Sequence, residues 1–597
     1  MFYPEKMSRV TIVSPKTHIK EVVDILYDLK VLHIKDYVPE GDVSIGTPLK
    51  DAEKISELIL DLYSIKSQLE LQKAVKKEKL SKKAIEKFLV ALKSRVTSLN
   101  LEIKRASEEV KSLEKEKDQL EFLMNAGISE LDDLGAYENF DLVFGNTVSI
   151  EDLKELEDAK IFYSKKISKT YPVVVFIKKN KKQLLAGKMD EIKIEIAGRG
   201  KVENRLKHAM DEIEDHVKKK ARAEKSLKKI SEKEGGRLNY IELLLLEKIK
   251  KSEAPLKFAA SEYAFLVSGW IPKRNTNALL KRLSEISKNI FVKLEDIGHE
   301  EDVPTKVSNP PPIRSFEFFL NLYSLPRYNE IDPSFLIFLT FPIFFGFMLG
   351  DIGYGAILLA LGLLGRTKMK HALLDITIIA SLSTIMFGFV FGEIFGAGHI
   401  LGIELHPYLH RVEGINQLIA LSAIIGLVHL NIGFIFGFIN ELQHGFIRAF
   451  MEKISWIGIQ LAGILFLLDM LKYISVSIYV PLAIGIVSFL MILKTEGMFG
   501  LVALPSLISN ILSYLRLAAV GLASVSLALV VNKLAGGLFQ QGGLMIVPGI
   551  IILVVGHAIN LALGILGSFL HSMRLHYVEM FMKFYKGSGK RYEPFGE

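Results

Sequence analysis

One residue is out of keeping with its surroundings. In SYLRLAAVGLA, residues 513–523, Arg516 stands in apolar sequence, and the only other charge between 497 and 534 is Lys533. A guanidinium at mid-membrane costs from ~3 kcal/mol on insertion scales to above ~10 kcal/mol on isolated-helix estimates, so it must face water or a carboxylate. Protonated at any working pH, it can favour an ionised carboxylate and repel a passing cation. Polar residues recur around it at helical spacing: Ser506, Ser509, Asn510 and Ser513 before it, Ser524 after it. A second stripe, His557, Asn560, Gly564, Gly567, Ser568, His571 and Arg574, repeats at intervals of three or four. Such groups can hold water along an ion path, although serines also serve plain helix packing, and Arg574 is near enough to a span end to snorkel. Glu393, in FGEIFG, could line an exit path or cap packing, and both readings stay open. No carboxylate on these two stripes faces Arg516: Glu496 lies at the membrane edge and Glu579 in a basic tail. The expected partner of Arg516 is therefore on another polypeptide.

Positioning these groups falls to a membrane domain. The 597 residues carry a formal charge of +8, with 75 Lys and Arg and 67 Asp and Glu. Residues 1–333 hold 60 and 55 of these, and residues 334–597 only 15 and 12, so the chain divides into a soluble half and a membrane half. Apolar runs occupy roughly 334–365, 373–397, 415–440, 454–470, 476–493, 498–534 and 545–583. The first is too long for one span, and GDIGYG, residues 350–355, breaks it into an expected hairpin. That makes eight spans. With the amino-terminal half inside, the inner loops and tail carry Arg366, Lys368, Lys370, Arg448, Lys453, Lys494, Lys583, Lys586, Lys590 and Arg591, and the outer loops only Arg411, Lys472 and Lys533. Seven spans would put the basic GRTKMK loop outside, against the positive-inside rule. The last two runs, at about 1.5 Å per residue, exceed a bilayer core of about 30 Å and must tilt or bend. The start, MFYPEKMSRV, has no signal-peptide apolar stretch. An integral, multi-pass cell-membrane protein with both ends cytosolic is expected.

The soluble half reads as a coiled coil. Ile55, Leu58, Leu62, Ile65 and Leu69, then Val96, Leu99, Ile103, Ala106, Val110, Leu113 and Leu120, keep 3,4 spacing, as do Val202, Leu206, Ala209, Ile213, His216, Lys220, Ala223, Leu227 and Ile230. The spacing predicts an antiparallel pair, residues 51–120 with 197–252, whose first helix runs unbroken from Asp51 to Leu120 over about 100 Å. Two small α/β lobes are expected at its ends: residues 1–50 with 255–305, where RVTIVSP and FLVSGWIP each open a β, proline, α, β unit, and residues 121–196, built on YPVVVFIKK and IKIEI. Residues 306–333 form a linker, and 334–597 the ion-translocating membrane domain. Lobes on a long spacer suit docking, though any single charged face is more simply a solvated one.

Several functions are disfavoured. Charge is too dispersed for nucleic acid, the absence of cysteine removes disulfides and thiolate metal sites, and neither GLLGRTK nor GDIGYG has Walker spacing, so the chain is expected not to hydrolyse ATP. The outer loop GHILGIELHPYLHRVEG offers His399, Glu404, His406, His410 and Glu413, which read as an ordinary loop rather than a metal site. A self-contained secondary transporter would need paired intramembrane carboxylates and repeat halves. A membrane-anchored coiled-coil tether would leave Arg516 unexplained.

The stretches SYLRLAAVGLA and GHAINLALGILGSFLHSMRLHYVEMFMKFYKGSGKRYEPF resemble the membrane stator of rotary ATPases of the vacuolar and archaeal type, called subunit a or subunit I. So do PTKVSNPPPIRSFEFFLNLYSLPRYNEIDPSFLIFLTFPIFFGFMLGDIGYG and GLVHLNIGFIFGFINE. The likeness runs in order over residues 304–595 and more loosely over the soluble half. It implies that the arginine at 516 faces the carboxylates of a rotor ring of proteolipid subunits, that Arg574 assists, and that two aqueous half-channels meet there. It implies no cofactor, peripheral stalks as partners of the cytosolic lobes, and a central-stalk subunit as a further candidate partner. Where some relatives carry half-channel acids, this sequence has Val502 and Gly564. Proton or sodium is left open.

Overall fold

The structure, a computed structural model, describes residues 3–39, 43–70, 75, 78, 80–134, 137, 139–156, 159–166, 170–196, 199–297, 302–400 and 403–597. It falls into two compact units, Ile45–Leu256 and the combination of Met1–Ser44 with Lys257–Glu597.

The unit Ile45–Leu256 is built on helices Ala52–Lys66, Lys82–Asn125 and Val202–Glu253. The first two were expected to be one. Instead the helix ends at Lys66 and restarts after Ser81, whose Oγ accepts the Ala84 N–H at 3.3 Å, an N-cap. Asp61 meets Lys93 at 2.5 Å and Gln68 meets Asn100 at 2.9 Å, so the two helices lie side by side in the same direction. The third runs against them, with Glu116 to Arg205 at 2.7 Å and Glu78 to Arg237 at 3.1 Å. Their common core is apolar: Leu62, Leu89, Val96, Leu238 and Ile241 are fully buried. At the distal end Leu120, Leu123, Val202 and Leu206 pack against Phe144 and Val174 of an antiparallel sheet. The sheet's order is Ala159–Tyr163, Tyr171–Lys178, Phe140–Thr147, Asp190–Ile192.

In the other unit, two β-α-β segments interlock. Strands Met7–Pro15 and Ala264–Pro272 pair antiparallel at the centre; Phe291–Glu295 joins the first of them and His33–Ile34 the second, so each segment lends its closing strand to the other's side. The chain's last residues complete this lobe. Thr305 N–H donates to Lys590 O at 2.6 Å, Phe595 N–H donates to Leu32 O at 2.8 Å, and the Tyr592 hydroxyl donates to Val31 O.

The apolar part of the same unit comprises α1 (Ser334–Leu349), α2 (Ile352–Lys368), α3 (Ala372–Phe391), α4 (Ile415–Glu441), α5 (Ser455–Met470), α6 (Tyr479–Glu496), α7 (Met498–Ser513), α8 (Leu515–Gln541) and α9 (Ile546–Arg574). Among the described residues six helical segments are long and apolar enough to cross a membrane, the last two being Met498–Gln541 and Gly543–Lys583. The chain is thus a multi-pass membrane protein. α1 and α2, of 16 and 17 residues, are shorter and meet at Gly350–Asp351. Asp351 caps α2, its Oδ1 accepting the Tyr354 N–H at 2.9 Å while Oδ2 accepts the Gly396 N–H at 2.8 Å. α3 lies along both: Gly346 of α1 faces Ser383, and Gly355 and Gly362 of α2 face Ile385 and Ile378. α1 also touches α8 and α9, with Gly521 against the Phe347 and Met348 carbonyls and Gly564 against Leu349.

Candidate functional site

The two long runs are not straight helices. Regular hydrogen bonding is interrupted at Tyr514, between α7 and α8, and α9 continues as a π-helix over Leu575–Met580. Both irregularities serve Arg516. Tyr514, fully buried, is held by its hydroxyl against His429 Nδ1 of α4 at 2.7 Å, which fixes the chain two residues before the arginine. The π turn brings Glu579 round to the arginines. Arg516 Nη1 donates to Glu579 Oε1 at 3.3 Å and Nη2 to Ser513 Oγ at 3.4 Å, while Arg574 Nε lies 3.9 Å from the same Oε1. The Glu579 side chain is 2% exposed, against 26% for Arg516 and 54% for Arg574. The partner of Arg516 is thus in this chain, contrary to expectation. On a regular helix a residue five places on falls ~140° away around the axis; i→i+5 bonding removes most of that offset.

Glu579 Oε2 accepts no hydrogen bond among the described residues, nor do the buried hydroxyls of Ser568 and Ser572 bond to anything. Two guanidinium groups converge on one carboxylate, leaving a net positive charge with an unfilled acceptor beside it. An anion that reaches Arg516 meets a cation only partly neutralised. His571 stands near enough to feel both arginines.

A second polar group lies farther along α8 and α9. Asn560 Nδ2 donates to the Tyr354 hydroxyl and to Ser524 O, each at 2.9 Å. Having accepted that bond, the Tyr354 hydroxyl can donate to His557 Nδ1 at 2.7 Å; His557 Nε2–H then donates to Asn532 Oδ1 at 2.9 Å, and Asn532 Nδ2 to Phe395 O at 2.8 Å. This fixes the His557 tautomer and aligns four side chains as one directional hydrogen-bond chain. Nearby, Glu393 Oε2 sits 3.6 Å from Arg411 Nη1.

The structure therefore sorts the expected residues. Arg516 and Arg574 meet at Glu579, and Ser513 accepts from Arg516; His557 and Asn560 belong to the second group with the backbone of Ser524; Glu393 lies beyond α3. Ser506 is exposed and its hydroxyl bonds back to Ala503 O at 2.6 Å, the ordinary packing role. Ser509 is exposed and Asn510 half-buried on the same helix, while among the described residues the hydrogen bonds of Arg516 go to Glu579 and Ser513. Val502 is exposed, and a Cβ on Gly564 would come within 2.6 Å of Leu349, so no acidic side chain fits there without rearrangement. Missed from sequence were Glu579, Tyr354, Asn532, His429 and Tyr514. Arg411, expected in an outer loop, is 2% exposed. The side chains of His399 and Glu404 lie outside the described residues, and among the described ones no three His, Asp or Glu side chains gather as a metal-holding group.

The model of the V-type ATPase 116 kDa subunit family matches residues 165–375 and 504–596, which take in α1, α2, most of α7 and the whole of α8 and α9 with Glu579. The chain belongs to that family. It is 30% identical over 676 aligned residues to the A-type ATP synthase subunit I of Archaeoglobus fulgidus, covering 100% of this chain and 99% of the relative. It is 27% identical to that of Halobacterium salinarum over the same shares, and 32% identical to that of Pyrococcus abyssi over 75% of this chain and 72% of the relative. The crystal structure of the cytoplasmic N-terminal domain of subunit I, homolog of subunit a, of V-ATPase matches 48% of the chain at 12% identity with a TM-score of 0.28, too low a likeness to carry weight. Family membership places Arg516, Arg574 and Glu579 inside one matched segment, 504–596.

Proposed function

We propose that the chain is the membrane stator of an archaeal or vacuolar-type rotary ATPase, passing protons or sodium ions between two half-channels at the face of a proteolipid rotor ring. In this reading it couples that movement to ATP synthesis or hydrolysis in other subunits and holds peripheral stalks at its two cytosolic lobes. The membrane part makes eight spans, counting the α1–α2 hairpin, with both ends in the cytosol. The observation that carries the proposal is the sharing of one buried carboxylate by arginines from two helices, within a family whose relatives are named as ATP synthase subunit I.

The geometry suggests how the arginine works. Its pair with Glu579 is long, at 3.3 Å, and the Arg516 side chain is a quarter exposed, so a rotor carboxylate can reach Arg516 and take the place of Glu579. Ionisation of the rotor group is favoured there, its ion is released, and a free cation is repelled from crossing directly. Glu579 holds the guanidinium aimed between visits. The second polar group, His557, Asn560, Asn532 and Tyr354, supplies the ordered donors and acceptors of the opposite access path.

The test is ATP-driven ion pumping in proteoliposomes with Arg516→Lys and Arg516→Ala. Lysine keeps a charge but cannot address Glu579 and Ser513 together. Both variants should assemble and both should lose at least about a hundredfold in pumping, ~2.7 kcal/mol of lost stabilisation. Near wild-type pumping by either one means that Arg516 is a packing residue.

A further inference from the structure

Arg411 is the largest fully buried side chain among the described residues, although it comes from a connecting loop. Its Nη2 donates to Gly350 O at 2.5 Å and its Nη1 to Gly521 O at 3.1 Å; the guanidinium lies 4.1 Å above the Phe391 ring and 3.6 Å from Glu393. Gly350 has no room for a Cβ because Arg411 Nη2 occupies the space. Gly350 is the break between α1 and α2, and Gly521 is five residues beyond Arg516 on α8, a rise of about 7.5 Å. One loop side chain therefore bridges the hairpin turn to the helix that carries the essential arginine.

Packing alone does not account for this. A buried charge is costly, and well-packed apolar residues commonly hold helices together as well or better. Among the described residues Arg411 Nε is also left without a partner. The charges around it point to another role. Glu393 is faced by Arg411 from the loop and by Asp351 from the α1–α2 turn, and Arg411 feels both acids; Tyr354 on α2 and His557 on α9 are further titratable groups within reach of Asp351. Asp351 is engaged by backbone N–H groups. Glu393 is tied to α2 by its backbone, whose carbonyl accepts the Ile352 N–H at 2.9 Å, while among the described residues its carboxylate has Arg411 as its ion-pair partner. Two carboxylates share one guanidinium, so the cluster has one acid to spare.

Resting on the stator reading, we propose that Arg411 is a positioning residue for translocation: it keeps Glu393 poised as the ion-accepting carboxylate of the second access path and ties that path to the Arg516 helix. A cation taken up by Glu393 balances the cluster, and its release restores the arginine's pull. Gly521 links the two sites mechanically, because a shift of Arg411 loads α8 close to Arg516.

The experiment uses the whole complex in proteoliposomes with the cytosolic side outward. ATP-driven pumping is followed against lumenal pH, with the membrane potential clamped, for Arg411→Gln, Arg411→Lys, Glu393→Gln and the double variant Arg411→Gln/Glu393→Gln. Arg411→Gln should pump about tenfold more slowly, with the lumenal pH midpoint raised by about one unit, since removing a neighbouring cation disfavours the ionised carboxylate. Arg411→Lys should keep the midpoint but lose about threefold in rate, because an ammonium cannot span both carbonyls. The double variant should follow the profile of Glu393→Gln. An unchanged rate and midpoint in Arg411→Gln overturns the inference. If that variant fails to assemble, a shifted midpoint in Arg411→Lys or a wild-type profile in Glu393→Gln overturns it instead. Normal pumping by Arg516→Ala would make Arg516 a packing residue and sink the arginine mechanism on which this inference rests, whereas an inactive Arg516→Ala beside a normal Arg411→Gln rejects only the role given to Arg411.

Discussion

In the proposed mechanism Glu579 has to be mobile in effect while buried in position, and its substitution separates those demands. Glu579→Gln keeps the shape and removes the charge, so in that mechanism Arg516 and Arg574 together present two positive charges to an arriving rotor carboxylate. Stronger capture slows departure. The expected outcome is pumping reduced about tenfold, ~1.4 kcal/mol, with subunit levels in the membrane unchanged and single-turnover ion binding not weakened; an unaffected steady-state rate would leave Glu579 a bystander. Arg516 was legible in the sequence because a lone charge in an apolar run breaks a strong compositional rule. Glu579 was not, because ordinary helical counting turns it away from Arg574, and only the π-helical turn at 575–580 restores the meeting. Tyr354 and Asn532 were missed for a different reason: each gains its meaning from partners 206 and 137 residues away in sequence.

At the level of elements, the heptads identified the buried faces of the soluble helices well: Ala209, Ala223 and Ile230 are buried where spacing put them. What spacing could not supply was direction. The pattern continues on either side of residues 67–81, so nothing periodic marks that the first helix stops and a second returns to lie beside it; the N-cap Ser81 was the signal available. Stability should follow the apolar seam rather than the many ion pairs. In the full chain, Ile241→Ala, at a fully buried position, should cost about 3 kcal/mol and expose the unit Ile45–Leu256 to limited proteolysis at lower temperature. Asp61→Asn, which breaks a partly exposed pair with Lys93, should cost under ~1 kcal/mol and leave the proteolytic midpoint nearly where it was. The reverse order would mean that charge, not packing, holds these helices.

For the whole molecule, the change of composition near residue 333 pointed to the apolar part of the chain, where the helices long enough to cross a membrane lie, although the compact units divide elsewhere, at 44/45 and 256/257; the motifs from 304 onward pointed to the family. If the distal lobe docks a stalk, replacing residues 121–196 by a short Gly-Ser turn should weaken capture of peripheral-stalk subunits at least about tenfold, by analogy with removing a whole contact cluster from an interface, while the chain still inserts and still purifies with a rotor ring. Undiminished capture would move the docking surface elsewhere. Composition gave no hint that Lys590, Tyr592 and Phe595 close the lobe formed by the chain's first strands. That closure sets a schedule on the ribosome. The strands around Met7–Pro15 emerge first, yet the residues that seal them are made only after every membrane helix has been synthesised, so the lobe stays unfinished throughout insertion. Contacts of such long sequence separation form late and slowly, so the lobe closes only once α9, with Arg574, has been made.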